Sequence, residues 1–205
     1  MLFSLFLQHI IMPPPPPLAL PPDTFLPRPR LVMPPGIPTT SKTDPDSGIS
    51  EITNALFLSG IDYTPEDLYH NGITHILNVS TTEDKPHPDI TTLFINIPDG
   101  GGTSIDGKTI EEYFPQTYAF IQNAINADGK VLVHCHMGIS RSATIVIAYL
   151  MKALNMPYIN VLAMVKGKRP IVDPCLAFSW KLMKFQKELG IPSPVSSPLM
   201  VPLSC

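Results

Sequence analysis

The sequence predicts an α/β domain, with a central, mostly parallel sheet and helices on both of its faces. Three observations carry that expectation. Between about Gly48 and Gly190, short β-branched runs alternate with helix-like stretches, the order of a sheet covered by its own connections. The apolar run Lys130–His134 (KVLVH) is followed closely by Ser142–Leu154, which is apolar nearly all round; these read as a buried strand and an enclosed helix. Proline is concentrated outside this segment. Of 25 prolines, 13 lie between Pro13 and Pro45 and 4 between Pro192 and Pro202, leaving eight for the middle.

Each element has its own local signal. Ala55–Ser59 (ALFLS) reads as a short strand. Thr64, Pro65, Glu66 and Asp67 supply an N-cap, a proline at the first helical position and acidic first-turn residues, and Gly72 ends that helix. Thr74–Val79 and Thr92–Ile97 are β-branched runs between polar turns, hence strands. Thr109 and Glu112 have the spacing of a capping box. After them Tyr113, Phe114, Thr117, Ile121 and Ala124 recur at helical spacing, with Pro115 expected to kink the helix or set off its first turn. Two further helices are expected over Tyr158–Lys166 and Leu176–Leu189, the last closed by Gly190.

Residues 1–47 and 191–205 lack an apolar period and are expected to be disordered flanks around a domain at 48–190. The run Pro13–Pro17 predicts an extended left-handed helix, either a ligand for an SH3- or WW-type domain or a plain spacer. Leu2–Met12 is almost wholly apolar. It is too short to span a bilayer, no Lys or Arg precedes it and no small-x-small cleavage site follows it. A hydrophobic end with no sorting role, such as a docking segment, is the favoured reading, and an N-terminal targeting or anchoring role the other.

With 14 basic and 17 acidic side chains the formal net charge is −3, so neither nucleic acid nor an anionic membrane is expected as a main partner. The cluster Lys166, Lys168, Arg169 reads as a solvated helix end, with contact to an acidic substrate as its rival. Three widely spaced cysteines, Cys135, Cys175 and Cys205, form no disulfide framework and suit a reducing compartment, cytoplasmic or also nuclear.

The chemistry is concentrated in His134-Cys135-His136-Met137-Gly138-Ile139-Ser140-Arg141-Ser142. The stretch joins the most buried strand to the most buried helix, where ligand sites of open α/β sheets gather. Such a loop aims successive backbone N–H groups at one point, and the helix start adds its positive end, a bowl for a tetrahedral dianion. Gly138 turns the loop with no side chain in the way. Beside a helix N-terminus and a cation, Cys135 is placed to ionise below the ordinary thiol range. The planar fork of Arg141 suits two phosphoryl oxygens at once.

Cys-x5-Arg followed by Ser142 and Ala143 resembles the signature of cysteine-dependent phosphatases, and specifically the dual-specificity branch. The likeness continues through Gly48–Ile52, Ile76–Val79 and Lys168–Ile171. With no rhodanese-like or other docking domain present, the chain resembles the small atypical members.

The resemblance implies hydrolysis of phosphotyrosine and phosphoserine/threonine in protein substrates through a phosphocysteine, without cofactor or metal. Cys135 would be the nucleophile. His136, Met137, Gly138, Ile139, Ser140 and Arg141 would surround the phosphate, and Ser142 would help the thiolate leave. His134 would order the loop and lower the thiol pKa. The general acid would be Asp99, which follows a strand, with Asp106 as competitor; on residue type alone Asp106-Gly107 reads as a turn. Two positions depart from the pattern. Met137 stands where Ala is usual, and Cys175 where Asn is more frequent, with Ala177 in place of Gly before Phe178. Cys175 reads as a passive apolar residue or, alternatively, as an oxidation partner of Cys135.

The main rival function is a weakly active or inactive module of the same fold that only binds phosphoproteins. A sulfurtransferase would have a shorter loop, a phosphoinositide phosphatase would place Lys within it, and an RNA triphosphatase would carry more basic charge.

Overall fold

The computed structural model describes residues 48–193. The expectations for residues 1–47, for Cys205 and for the rest of the C-terminal tail fall outside that range. The described chain runs β1 (Ser50–Thr53), β2 (Leu56–Ser59), α1 (Pro65–Asn71), β3 (His75–Ser80), β4 (Thr91–Asn96), two 3-10 turns (Asp99–Gly101 and Ile110–Tyr113), α2 (Phe114–Asn126), β5 (Val131–His134), α3 (Arg141–Leu154), α4 (Tyr158–Lys168) and α5 (Leu176–Glu188).

The five strands form one sheet in the order β1-β2-β5-β3-β4. Only the edge strand β1 is antiparallel to its neighbour; β2, β5, β3 and β4 run parallel. The α/β architecture is therefore as expected, with one addition. Ser50–Thr53 has too little periodicity to declare itself a strand, and it exists because β2 offers it an edge to pair with.

The side-chain alternation of the strands divides the core. Leu56, Leu58, Val131, Val133, Leu77 and Val79 face the large cluster built with α2 to α5. Phe57, Leu132 and Ile76 face the other way, where they meet Leu68 of α1 and Ile73. Both faces are covered, but by four helices and one. Helix α3 lies at the centre. Every residue from Arg141 to Met151 is buried, and each large aliphatic side chain there contributes about 1.5–3 kcal/mol through burial.

The local signals operate as expected. Thr64 caps α1 by accepting from the Asp67 N–H, and the Asp67 carboxylate accepts the Thr64 N–H in return. Gly72 closes the helix at φ 67°. Thr109 and Glu112 form the same reciprocal pair, but on a 3-10 turn that runs directly into α2, with Pro115 in the first turn of that helix. The remaining helices differ from expectation by a residue or two at their ends. Among the described residues no helix is long and apolar enough to cross a membrane.

Candidate active site

Residues 135–140 form the turn between β5 and α3. Their backbone is held from outside, carbonyl by carbonyl. The Ile61 N–H donates to the His136 oxygen at 3.1 Å. Arg169 donates to the Met137 oxygen at 3.4 Å and to the Gly138 oxygen at 3.0 Å. The Asp173 N–H donates to the Ile139 oxygen at 2.9 Å. In a trans peptide the next N–H points opposite to each carbonyl, so the amides of Met137, Gly138, Ile139 and Ser140 turn inward together. Gly138 shows the result: its N–H donates to Cys135 Sγ at 3.3 Å.

Gly138 is fixed for two reasons. Its φ is 66°, and a Cβ there would come within 2.4 Å of the Ser59 backbone. No other residue fits without moving β2.

Cys135 is 2 % exposed. Besides Gly138, the hydroxyl of Ser142 donates to its sulfur at 3.2 Å. Burial opposes ionisation, yet the Ser142 hydroxyl and amide, the Gly138 amide and the Arg141 charge outweigh it, and the thiol titrates below its ordinary value.

Arg141 is buried, with Nη1 donating to the Ile97 carbonyl at 3.2 Å and Nη2 to Asp99 Oδ2 at 3.4 Å. Its Nε is buried without a protein partner among the described residues. The guanidinium is therefore clamped at the end of β4 with its buried Nε–H still unpaired and open to an anion. Asp99 itself is largely exposed, and its Oδ1 accepts the Gly100 N–H. The 3-10 turn that carries it packs against α5: a Cβ on Gly101 would lie 2.4 Å from that of Ala177.

Asp106 is committed elsewhere. It accepts the Tyr113 hydroxyl at 2.6 Å and pairs with Lys108 at 3.2 Å. The Tyr113 hydrogen bond, with help from Lys108, holds its carboxyl down at about 2. The structure thus brings Asp99, not Asp106, to Arg141.

His134 is fully buried, with Nε2 2.7 Å from Asp84 Oδ2 and Nδ1 3.4 Å from the Cys135 carbonyl oxygen. The side chains of His136 and Met137 are exposed. Met137 lines a cleft of about 270 Å³ with Gly60, Asp62 and Tyr63. Ser140 Oγ accepts the Cys175 N–H at 3.0 Å, so the main chain at Cys175 braces the loop although no polar side chain stands there. Cys135 and Cys175 are both free thiols.

Three contributors escaped the sequence reading. Arg169, taken with Lys166 and Lys168 as a solvated end, is 2 % exposed and lies behind the loop. Asp84 and Tyr63 belong to no motif. The signals for Arg169 were its place within the family-like stretch Lys168–Ile171 and directly before Pro170, where the helix must stop and the chain turns back toward the loop.

Comparison with known proteins agrees with this arrangement. The family described as dual specificity phosphatase, catalytic domain, matches residues 57–188. The dual specificity protein phosphatase 1B of Arabidopsis thaliana is 37 % identical over 144 residues, covering 69 % of this chain and 83 % of that protein. Several longer relatives are spanned over only 16 to 26 % of their length. Among solved structures, a mouse putative dual specificity phosphatase complexed with zinc tungstate is 28 % identical. It has a TM-score of 0.65, over 75 % of this chain and 94 % of that one. A human tyrosine phosphatase-like serine/threonine/tyrosine-interacting protein is 30 % identical, with a TM-score of 0.61, over 68 % and 96 %. The sulfur at the mouth of an amide-lined loop, the clamped arginine and the family match together place this chain in the dual specificity phosphatase catalytic-domain family.

Proposed function

We propose that the chain is an active dual-specificity phosphatase that acts on phosphorylated proteins through a phosphocysteine at Cys135. The observation that supports this most is the sulfur itself, held between the Gly138 N–H and the Ser142 hydroxyl under an inward fan of amides. In the first step the Cys135 thiolate attacks phosphorus. The S–P bond forms as the ester P–O bond breaks, and protonated Asp99 gives its proton to the departing oxygen. Arg141 and the loop amides of residues 136–140 stabilise the equatorial oxygens. In the second step the Asp99 carboxylate takes a proton from water, whose oxygen attacks phosphorus. The S–P bond breaks, Ser142 donates to the returning thiolate, and inorganic phosphate leaves.

Turnover of phosphotyrosyl and phosphothreonyl peptides tests the substrate class. Release of phosphate from both is expected; release from neither, with retained binding, favours the binding module. That second reading draws on the likeness to a protein described as phosphatase-like and interacting.

The catalytic unit is proposed to need only the domain at 48–190 with its immediate C-terminal contact. Ile191 is buried, and its N–H and carbonyl bond to Gln186, so a chain trimmed to 48–193 should keep the thermal midpoint and turnover of the full chain. A large fall in either would mean that the flanks pack on the domain. The flanks are assigned to addressing, with Pro13–Pro17 as ligand for an SH3- or WW-type domain and a cytoplasmic or nuclear site of action.

A further inference from the structure

The segment between β2 and α1 is tied to the outer side of the Cys135 loop. Its Ile61 N–H donates to the His136 carbonyl at 3.1 Å, and a Cβ on Gly60 would lie 3.1 Å from that same oxygen. Asp62 and Tyr63 follow directly in the chain, so this tie sets them beside the loop. With Met137, Ile139 and Ile171 they line the cleft of about 270 Å³. Met137 and Ile139 belong to both the loop and the cleft, which makes the two continuous.

The walls of the cleft are apolar and its exposed charge is negative. Met137 is 57 % exposed, and Tyr63, Ile139 and Ile171 are half-buried, so apolar surface stays open to water. Tyr63 is fixed in place, with its ring edge-on to His134 at 5.1 Å and its hydroxyl 3.4 Å from His134 Nε2. Asp62 is exposed, and no cation among the described residues pairs with its carboxylate. Arg169 also lines the cleft but is 2 % exposed. Its donors point to the carbonyls of Met137, Gly138 and Gly48 and to the Ser50 hydroxyl.

A side chain that suits both features has an apolar stem and a cationic head, the form of lysine and arginine. An acidic residue would meet like charge at Asp62, and an aliphatic one would leave the carboxylate unpaired. We propose that the cleft is a substrate subsite for a lysine or arginine close in sequence to the phosphoresidue, with its stem along Met137 and Ile139 and its head at Asp62. This rests on the proposed function, since the loop must hold the phosphoresidue while the cleft holds its neighbour. Successive residues of an extended peptide are ~3.3 Å apart, so a long side chain a few positions away can enter a cleft continuous with the loop.

The test uses the full chain with phosphotyrosyl and phosphothreonyl peptides in an alanine background. Arginine, citrulline or glutamate is placed in turn at each of the three positions on either side of the phosphoresidue. Citrulline keeps the length and shape of arginine without its charge. At one position at least, kcat/KM should be about 3- to 10-fold higher for arginine than for citrulline, and lowest for glutamate. The arginine-to-citrulline ratio should fall toward one in Asp62→Asn, and Asp62→Lys should favour glutamate instead. Equal rates for arginine and citrulline at every position, or an arginine preference that survives in the folded Asp62 variants, would overturn the proposal. Binding of the same peptides to Cys135→Ser, read by fluorescence anisotropy, separates the two readings. Arginine-selective binding that is lost with the Asp62 carboxylate, in a protein whose wild type turns over no peptide, would uphold the subsite and defeat the proposed function. Turnover without any such selectivity would do the reverse.

Discussion

Arg169 donates its Nε–H to the carbonyl oxygen of Gly138 at 3.0 Å, so the end of α4 sets the shape of a loop 31 residues earlier in the chain. The same guanidinium reaches the Gly48 carbonyl and the Ser50 hydroxyl at 3.1 Å each. One buried side chain thereby joins the start of the sheet, the end of α4 and the back of the anion bowl.

Arg169→Lys should expose this role. Lysine keeps the charge but not the planar fork, and it cannot serve the separate acceptors in their present directions. Buried acceptors left unbonded should cost about 2 kcal/mol, or about 4–8 °C in thermal midpoint. Because the loop amides would shift, kcat/KM should fall about 10- to 100-fold. A lowered midpoint with unchanged kcat/KM would show that Arg169 stabilises the fold without shaping the loop.

Ser142→Ala removes the largest favourable contribution to the thiolate. The thiol pKa lies below its ordinary value in the wild type, so activity should fall as pH drops through that lowered value. Without the hydroxyl the pKa rises, and the acid limb of kcat/KM should move to higher pH. Breakdown of phosphocysteine should slow as well, leaving a burst followed by a slower steady state. Measuring kcat/KM across pH and the pre-steady-state phase checks both; an unmoved acid limb would contradict the assignment.

Asp99→Asn separates leaving groups. A phenol with a low pKa departs without help, so an activated aryl phosphate should lose little. Phosphotyrosyl peptides and alkyl phosphates should lose about 100-fold or more. Asp106→Asn, in a turn held by Tyr113 and Lys108, should leave the ratio of the two rates alone. Equal losses on both substrate classes in Asp99→Asn, or a larger effect from Asp106→Asn, would move the acid elsewhere.

The sequence made part of this legible because some signals are local. Thr64 with Asp67, Thr109 with Glu112, and the all-apolar face of α3 each declare their structure within a few residues. The strand–loop–helix passage from His134 to Ser142 carries its chemistry in the same way. What stayed hidden depends on pairing at a distance. β1 is a strand only because β2 accepts it. Arg169 looks like its lysine neighbours until the fold buries it, whereas Lys166 keeps a surface pairing with Asp173 at 3.4 Å. Asp84 lies 50 residues before the histidine it meets. Asp99 and Asp106 both follow β4, and only in the fold does Asp99 face Arg141 while Tyr113 and Lys108 hold Asp106 away.

The most direct measurement is rapid-mix phenol release from an aryl phosphate, at enzyme concentrations high enough to see one turnover. The account predicts a burst near one equivalent per chain in the wild type. In Cys135→Ser it predicts no burst and no turnover, while binding of a tetrahedral oxyanion such as tungstate is retained through Arg141 and the loop amides. Turnover at the wild-type rate in Cys135→Ser, or no turnover by the folded wild-type protein, would contradict it.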